Sequence, residues 1–229
     1  MDEAMLSVSG VSKTYRRGSE EISALRGVTF SLHAGEFVVL LGPSGSGKST
    51  LLSVLCGWER PDAGEVSVDG RPVTRSSTDW GELAVVPQTL GLMEELSVRD
   101  NVNWSVRLRG SLQAEVSRTQ ELLDLFGLSE LAHRYPDEIS LGENQRTALA
   151  RALVLHPRVF LADEPTSHQD EYWALRVLSI AREASTWGGS CLIVSHDPQA
   201  ALLGSRTLTI NDGRVAEVDP GDFSGTVDP

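Results

Sequence analysis

Gly42-Pro-Ser-Gly-Ser-Gly-Lys-Ser-Thr50 sets two glycines, a lysine and a run of hydroxyls at the spacing G-x-x-x-x-G-K-[ST]. Glycines at Gly42 and Gly47 let the backbone turn tightly, so that successive N–H groups can close on phosphate oxygens. A helix beginning at the end of the run adds the positive end of its dipole. In that frame Pro43, Ser44, Gly45 and Ser46 wall the loop and Thr50 follows it, Lys48 neutralises the outer phosphates, and the Ser49 hydroxyl faces a magnesium ion. A plain Gly/Ser turn would not need the flanks seen here: Glu36 to Leu41 reads as a buried strand, and Ser49 to Cys56 as an apolar helix start. The stretch is read as a nucleotide-phosphate loop. Three further polar groups close short apolar runs: Gln88 after Leu83–Val86, the pair Asp163-Glu164 after Val159–Ala162, and His196 after Cys191–Val194.

Apolar strands that each end in polar residues and alternate with helices predict an α/β fold with a mainly parallel sheet covered on both faces. Ligands of such folds bind beyond the carboxyl ends of the strands, so one site can gather Gly42, Gln88, Asp163 and His196. The first third reads as sheet, with strands at Leu6–Ser9 and Ile22–Leu32 and a hairpin from Glu65 to Val73 turned at Asp69-Gly70. Between those first two strands, Arg16 to Glu21 reads as a polar loop. From Ser97 to about Leu155 the texture is helical. Ser97 suits an N-cap, Leu112 to Phe126 repeats apolar residues at near-helical spacing, and Ser140-Leu-Gly-Glu143 is a capping box for a helix ending near His156-Pro157. A helix over about Asp170–Ser185, another opened by Asp197-Pro198, and a hairpin from Arg206 to Val218 complete the ordered chain, with a frayed tail from Asp219.

The bulk numbers narrow the function. In 229 residues, 20 Lys+Arg stand against 32 Asp+Glu, and the resulting charge of −12 argues against a general nucleic-acid backbone binder. Only two lysines occur, Lys13 and Lys48, and one of them is in the phosphate loop. Cys56 and Cys191 lie in apolar runs without metal-ligand spacing and read as buried, reduced thiols. Asp2 and Glu3 stand where a secretory leader would carry basic residues, and no apolar run is long enough to cross a bilayer.

At this point the motifs together resemble the ATP-binding subunits of ABC transporters, from about Leu6 to Val218. Leu161-Ala-Asp-Glu-Pro-Thr166 is similar to the family's second nucleotide motif. The resemblance implies that Asp163 holds Mg²⁺ together with Ser49 and Gln88, and that Glu164 polarises the attacking water. It implies further that Gln88 senses the ion and the water, that His196 contacts the γ-phosphate, and that Tyr15 stacks on adenine. The implied fold is a P-loop NTPase core with an antiparallel β subdomain and an inserted α-helical subdomain, all in one ATPase domain. Its core and β subdomain would take residues 1–88 and 156–218, its helical subdomain 89–155, and a flexible tail 219–229.

Ile139-Ser-Leu-Gly-Glu-Asn-Gln-Arg146 resembles the family signature Leu-Ser-Gly-Gly-Glu-Gln-Gln-Arg. Ser140, Gly142 and Gln145 are implied to serve ATP held by a second chain. Leu141 replaces the signature's first glycine and is expected to crowd that dimer site, and Ser167-His-Gln-Asp170 lacks the customary leucine before Asp170. The implied partners are membrane-spanning transporter subunits and a second ATPase subunit, a homodimer being favoured over a heterodimer, at the inner face of the cell membrane. Ala162 to Thr166, Glu143 and Leu92 to Val102 resemble the lipoprotein-releasing and macrolide-exporter branch. Two other readings share these residues: a non-transport ABC ATPase of envelope remodelling or signalling, and a low-activity subunit with a degenerate signature.

Overall fold

The computed structural model describes residues 4–74, 81–109 and 114–219, with side chains in the third stretch from residue 117. The expected tail beyond Asp219 and the first residues of the expected Leu112–Phe126 helix lie outside them. Five strands form the parallel body of the main sheet: β3 (Phe37–Leu41), β6 (Leu83–Val86), β7 (Val159–Asp163), β8 (Ser190–Ser195) and β9 (Arg206–Asn211). With β10 (Arg214–Val218) antiparallel to β9, their order is β10-β9-β3-β8-β7-β6. A second, antiparallel sheet has the order β2-β1-β4-β5 and is built from β1 (Leu6–Arg17), β2 (Glu20–Leu32), β4 (Ala63–Val68) and β5 (Arg71–Pro72).

Every residue of β3, β7 and β8 is buried, which is why these strands read as unbroken apolar runs. Their side chains still alternate between two cores. Phe37, Val39 and Leu41 join one core with α2 (Val98–Arg109), α3 (Ala114–Leu125), α4 (Leu141–Leu153) and α5 (Glu171–Ser185). Val38 and Leu40 join the other, packed with α1 (Lys48–Leu55) and the inner face of the antiparallel sheet. The parallel sheet is therefore covered on both faces, as its composition predicts. Burial pushes the Cys56 thiol up to about 12 and that of Cys191 well above its ordinary value, so both stay protonated as free, buried thiols.

The hairpin turn falls at Asp69 and Gly70, both with positive φ, which suits a two-residue primed turn. Helices α2, α3 and α4 are inserted between β6 and β7. Two expectations need correction. Arg16–Glu21 is not a loop: β1 and β2 run on to a turn at Gly18-Ser19, pairing Arg16 with Glu21 and Arg17 with Glu20. The extension is exposed on both faces, so no apolar alternation marks it as strand, and an Arg16–Glu21 ion pair at 2.9 Å spans it. The helix opened by Asp197-Pro198 is a short 3₁₀ segment, Pro198–Leu203, with the Asp197 carboxylate accepting from Gln199 N at 2.8 Å. Among the described residues no helix is long and apolar enough to cross a membrane.

Candidate functional site

The end of β3 passes directly into the phosphate loop. A Cβ at Gly42 would come within 2.4 Å of the Ile210 carbonyl oxygen, and one at Gly47, where φ is 110°, within 2.5 Å of the Ala24 carbonyl oxygen. Only glycine fits either position, so the motif's two glycines answer to packing as well as to phosphate. The loop is pinned from outside by Gly213 N, which donates to the Ser46 carbonyl at 3.0 Å. Lys48 Nζ donates to the Gly42 and Pro43 carbonyls at 2.6 and 2.9 Å, which holds its charge over the loop. The Ser46 hydroxyl is buried and has no hydrogen-bond partner among the described residues. A buried orphan hydroxyl costs stability and is the kind of group a polar ligand would satisfy.

Asp163 and Glu164 stand at the carboxyl end of β7, as the strand pattern predicts. Burial, and then the neighbouring Glu164 charge, raise the Asp163 pKa, with Lys48 opposing both. Glu164 sits at φ 50°, a left-handed conformation that a residue with a Cβ adopts only under constraint. The constraint is visible. Its N–H donates to Val194 O at 2.9 Å, and its carbonyl accepts from Gln145 Nε2 at 2.9 Å and from Ser167 N and Oγ at 3.2 and 3.0 Å. The resulting kink brings a Glu164 carboxylate oxygen to 2.9 Å from His196 Nδ1, at the end of β8.

A cleft of about 660 Å³ gathers Ser46, Lys48, Asp163 and Glu164, while Gly42, Pro43 and His196 are not among its lining residues and His196 joins it through Glu164. Tyr15, Ile22, Lys48, Ser49, Gln88, Asp163 and Glu164 all line it. Ser44 to Thr50 form one wall. Ser49, Gln88 and Asp163 offer a hydroxyl, an amide and a carboxylate, a hard oxygen set that fits magnesium. Among the described residues no cluster of three His, Cys, Asp or Glu could hold a metal. Such an ion would complete its shell with phosphate oxygens and water. Tyr15 is held by Lys13, whose Nζ lies 5.5 Å from the ring centroid and donates to Arg60 O at 2.8 Å.

The signature residues are not in this cleft. Ser140 caps α4 in a capping box: its Oγ accepts from Glu143 N at 3.3 Å while Glu143 Oε2 accepts from Ser140 N at 2.7 Å. Ser140 and Leu141 face outward, Leu141 being 54% exposed. Gly142 is buried, and a Cβ there would lie 2.6 Å from His168 O. Gln145 is 3% exposed and spends its amide on Glu164 O and on Gln169, inside its own chain.

Three groups of residues at or beside the site are not marked in the sequence. Glu20, Glu21 and Arg26 reach the cleft because the β1–β2 ribbon extends over it. Asp212-Gly213 reaches it from the last hairpin, although the Asn-Asp-Gly turn itself was legible. Arg151 donates to Leu90 O and Gly91 O at 2.7 Å each, and the buried Asn101 amide donates to Met93 O and Leu96 O at 3.0 and 2.9 Å. Those two side chains fix the segment that follows Gln88, and no local pattern announces them.

Comparison with known proteins places the chain among its relatives. The sequence model of the ABC transporter family matches residues 25–167. The molybdate/tungstate import ATP-binding protein WtpC of Thermococcus kodakarensis is 37% identical over 94% of this chain, which spans 65% of that relative's length. The lipoprotein-releasing system ATP-binding protein LolD of Chromohalobacter salexigens is 35% identical, covering 94% of each chain. Among solved structures, the ATP-binding cassette MJ0796, a dimer in a post-hydrolysis state bound to ADP and Pi, superposes with a TM-score of 0.86 at 32% identity, covering 94% of this chain and 99% of that one.

Proposed function

We propose, from the premise that this chain belongs to the ABC transporter family, that it works as half of a head-to-tail dimer closed around two ATP molecules. The chain is an ATP-binding subunit of that family and an ATPase. The observation that carries the residue assignment is Glu164: a strained carboxylate at a strand end, paired with His196, in one cleft with Lys48 and Asp163.

In this reading Tyr15 stacks on the base, while Gly42 to Thr50 cradle the phosphates through backbone N–H groups and Lys48. Glu164 accepts a proton from the attacking water, and His196 holds both that carboxylate and the γ-phosphate. Gln88 orients the water and couples the site to the segment that follows it. Ser49, Gln88 and Asp163 would hold Mg²⁺, which neutralises charge on the phosphates when bound. Ser140 and the amide-rich first turn of α4 present donors to the γ-phosphate of the other chain, and the exposure of both Ser140 and Leu141 supports this. Gln145 contributes by holding that turn to the base.

The chain would divide into a core with its β subdomain, 1–88 and 156–218, and a helical subdomain, 89–155. It would sit on the inner face of the cell membrane and pass closure to separate membrane-spanning subunits through residues from Gln88 to about Asn103. A homodimer is the simplest assembly. A second reading, slow turnover, is favoured by the exposed Leu141 in the dimer-facing turn.

Complementation tests the composite site. Lys48→Ala and Ser140→Arg chains, each inactive alone, should regain part of the wild-type ATPase activity when mixed, because a mixed dimer keeps one intact site. No recovery in a mixture shown to contain mixed dimers would overturn the assignment.

A further inference from the structure

Gln169 stands where the family carries leucine, in the turn between β7 and α5, and the sequence alone offers it no task. In the structure it is a junction. Its Nε2 donates to the Gly142 carbonyl at 2.9 Å, in the first turn of α4, and to Gln145 Oε1 at 3.0 Å. Its Oε1 accepts from Arg146 Nη1 at 2.9 Å. Gln145 then donates through Nε2 to the Glu164 carbonyl at 2.9 Å. Arg146 is itself fixed, donating through Nε to Phe126 O at 2.9 Å and lying 4.1 Å over the Trp173 ring. A continuous path of side-chain amides therefore runs from the signature turn to the strained backbone of the catalytic base.

We infer that Gln169 is a positioning residue that ties these two parts into one unit. The inference rests on the proposed function, in which Glu164 serves the ATP of its own chain and the α4 turn serves the ATP of the other. The geometry supports a specific role over generic packing. Glu164 is left-handed with a Cβ, so it stays in place only while its carbonyl and N–H are held. Its carbonyl bond from Gln145 keeps its direction only while Gln145 Oε1 has a donor, and Gln169 is the donor the structure supplies. Gln145 and Arg146 are both buried, so loss of the amide leaves groups that water reaches poorly. Movement of the signature turn toward or away from a partner is thus conveyed to the base, and one chain's two half-sites respond together.

Steady-state ATPase kinetics on the full chain test this. Gln169→Leu restores the customary residue but removes every hydrogen bond of the junction. It should lower kcat about tenfold while leaving the KM for ATP within about twofold. Gln169→Glu keeps the size and the acceptor facing Arg146 but has no donor, and it should lose kcat to a similar extent. That second variant keeps the test open if the first folds poorly. The double variant Gln169→Leu, Gln145→Leu should be no slower than the slower single one, because both interrupt the same path. Wild-type kcat in both Gln169 variants would overturn the inference, and so would a loss in KM equal to that in kcat, or a double variant slowed by the product of the singles. Glu164→Gln, run beside them, separates the two readings. If its kcat stays within about tenfold of wild type, the assignment of the base fails. If it is inactive while the Gln169 variants are normal, only the junction fails.

Discussion

In the proposed dimer the chain contributes two half-sites, and the structure builds them in opposite ways. The phosphate half is costly to the fold. It holds a left-handed glutamate, an orphan buried hydroxyl at Ser46, a carboxylate raised by burial at Asp163, and two glycines whose neighbours leave no room for a Cβ. The signature half is an ordinary, well-capped helix start in which Ser140 and Glu143 satisfy each other, and its one orphan among the described residues is the buried Asn144 Oδ1. Gly142 is demanded by packing there, as a Cβ would lie 2.6 Å from His168 O, whereas its neighbour Leu141 is exposed. The difference teaches where substitution is tolerated. A bulky residue at 141 stands exposed on the surface, and in the proposed dimer its consequence would fall on a second chain, whereas any side chain at 42 or 47 is felt at once.

That contrast can be broken or sharpened by substitution. The largest effect belongs to the phosphate half. Glu164→Gln should reduce kcat by about 10²- to 10⁴-fold, the usual contribution of a general base, with little change in nucleotide affinity; single-turnover measurement of phosphate release checks it. Next, Lys48→Ala should weaken ATP binding by roughly 10- to 100-fold, as loss of charge-assisted contacts does; calorimetric titration reads this directly, and unchanged affinity would contradict the loop assignment. On the signature half, Leu141→Gly should raise turnover by about threefold in the closed dimer if crowding limits it, while removing about 0.5–1 kcal/mol from folding through glycine's entropy. Unchanged or lower turnover would show that Leu141 is accommodated.

The smallest effect separates the halves by pH. Asp163 has a raised pKa, so the folded state holds its proton more tightly than the unfolded state, and the ionised carboxylate destabilises the fold. Asp163→Asn should therefore melt a few degrees higher than wild type at neutral pH without nucleotide, and the gain should vanish as pH falls below the ordinary aspartate value. Glu143 has the opposite sign, lowered first by the Ser140 backbone N–H. Its stabilisation is present at neutral pH and is lost as pH falls through its folded pKa, so Glu143→Gln should cost stability at neutral pH only. Thermal melts of both variants across pH test the pair.

What could be read in advance follows from how local each feature is. The phosphate loop, the Asp69-Gly70 hairpin and the Ser140–Glu143 capping box are set by residues within a few positions of one another, and each stands where expected. The β1–β2 extension was not legible, because a ribbon exposed on both faces carries no hydrophobic period. Nor was the reason for Gly42, which lies against Ile210 from the far end of the chain, nor the task of Gln169, which depends on groups 23 to 27 residues away. Strand-end chemistry could be located from pattern alone, while the bonds that hold it required the fold.

In the proposed dimer each ATP is enclosed between the phosphate half of one chain and the signature half of another. The mass of Glu164→Gln in solution, measured by light scattering with and without ATP, tests it most directly. The account predicts a species of twice the chain's mass with ATP and a single chain without it. A single chain under both conditions, at ATP concentrations shown to saturate the cleft, would contradict it.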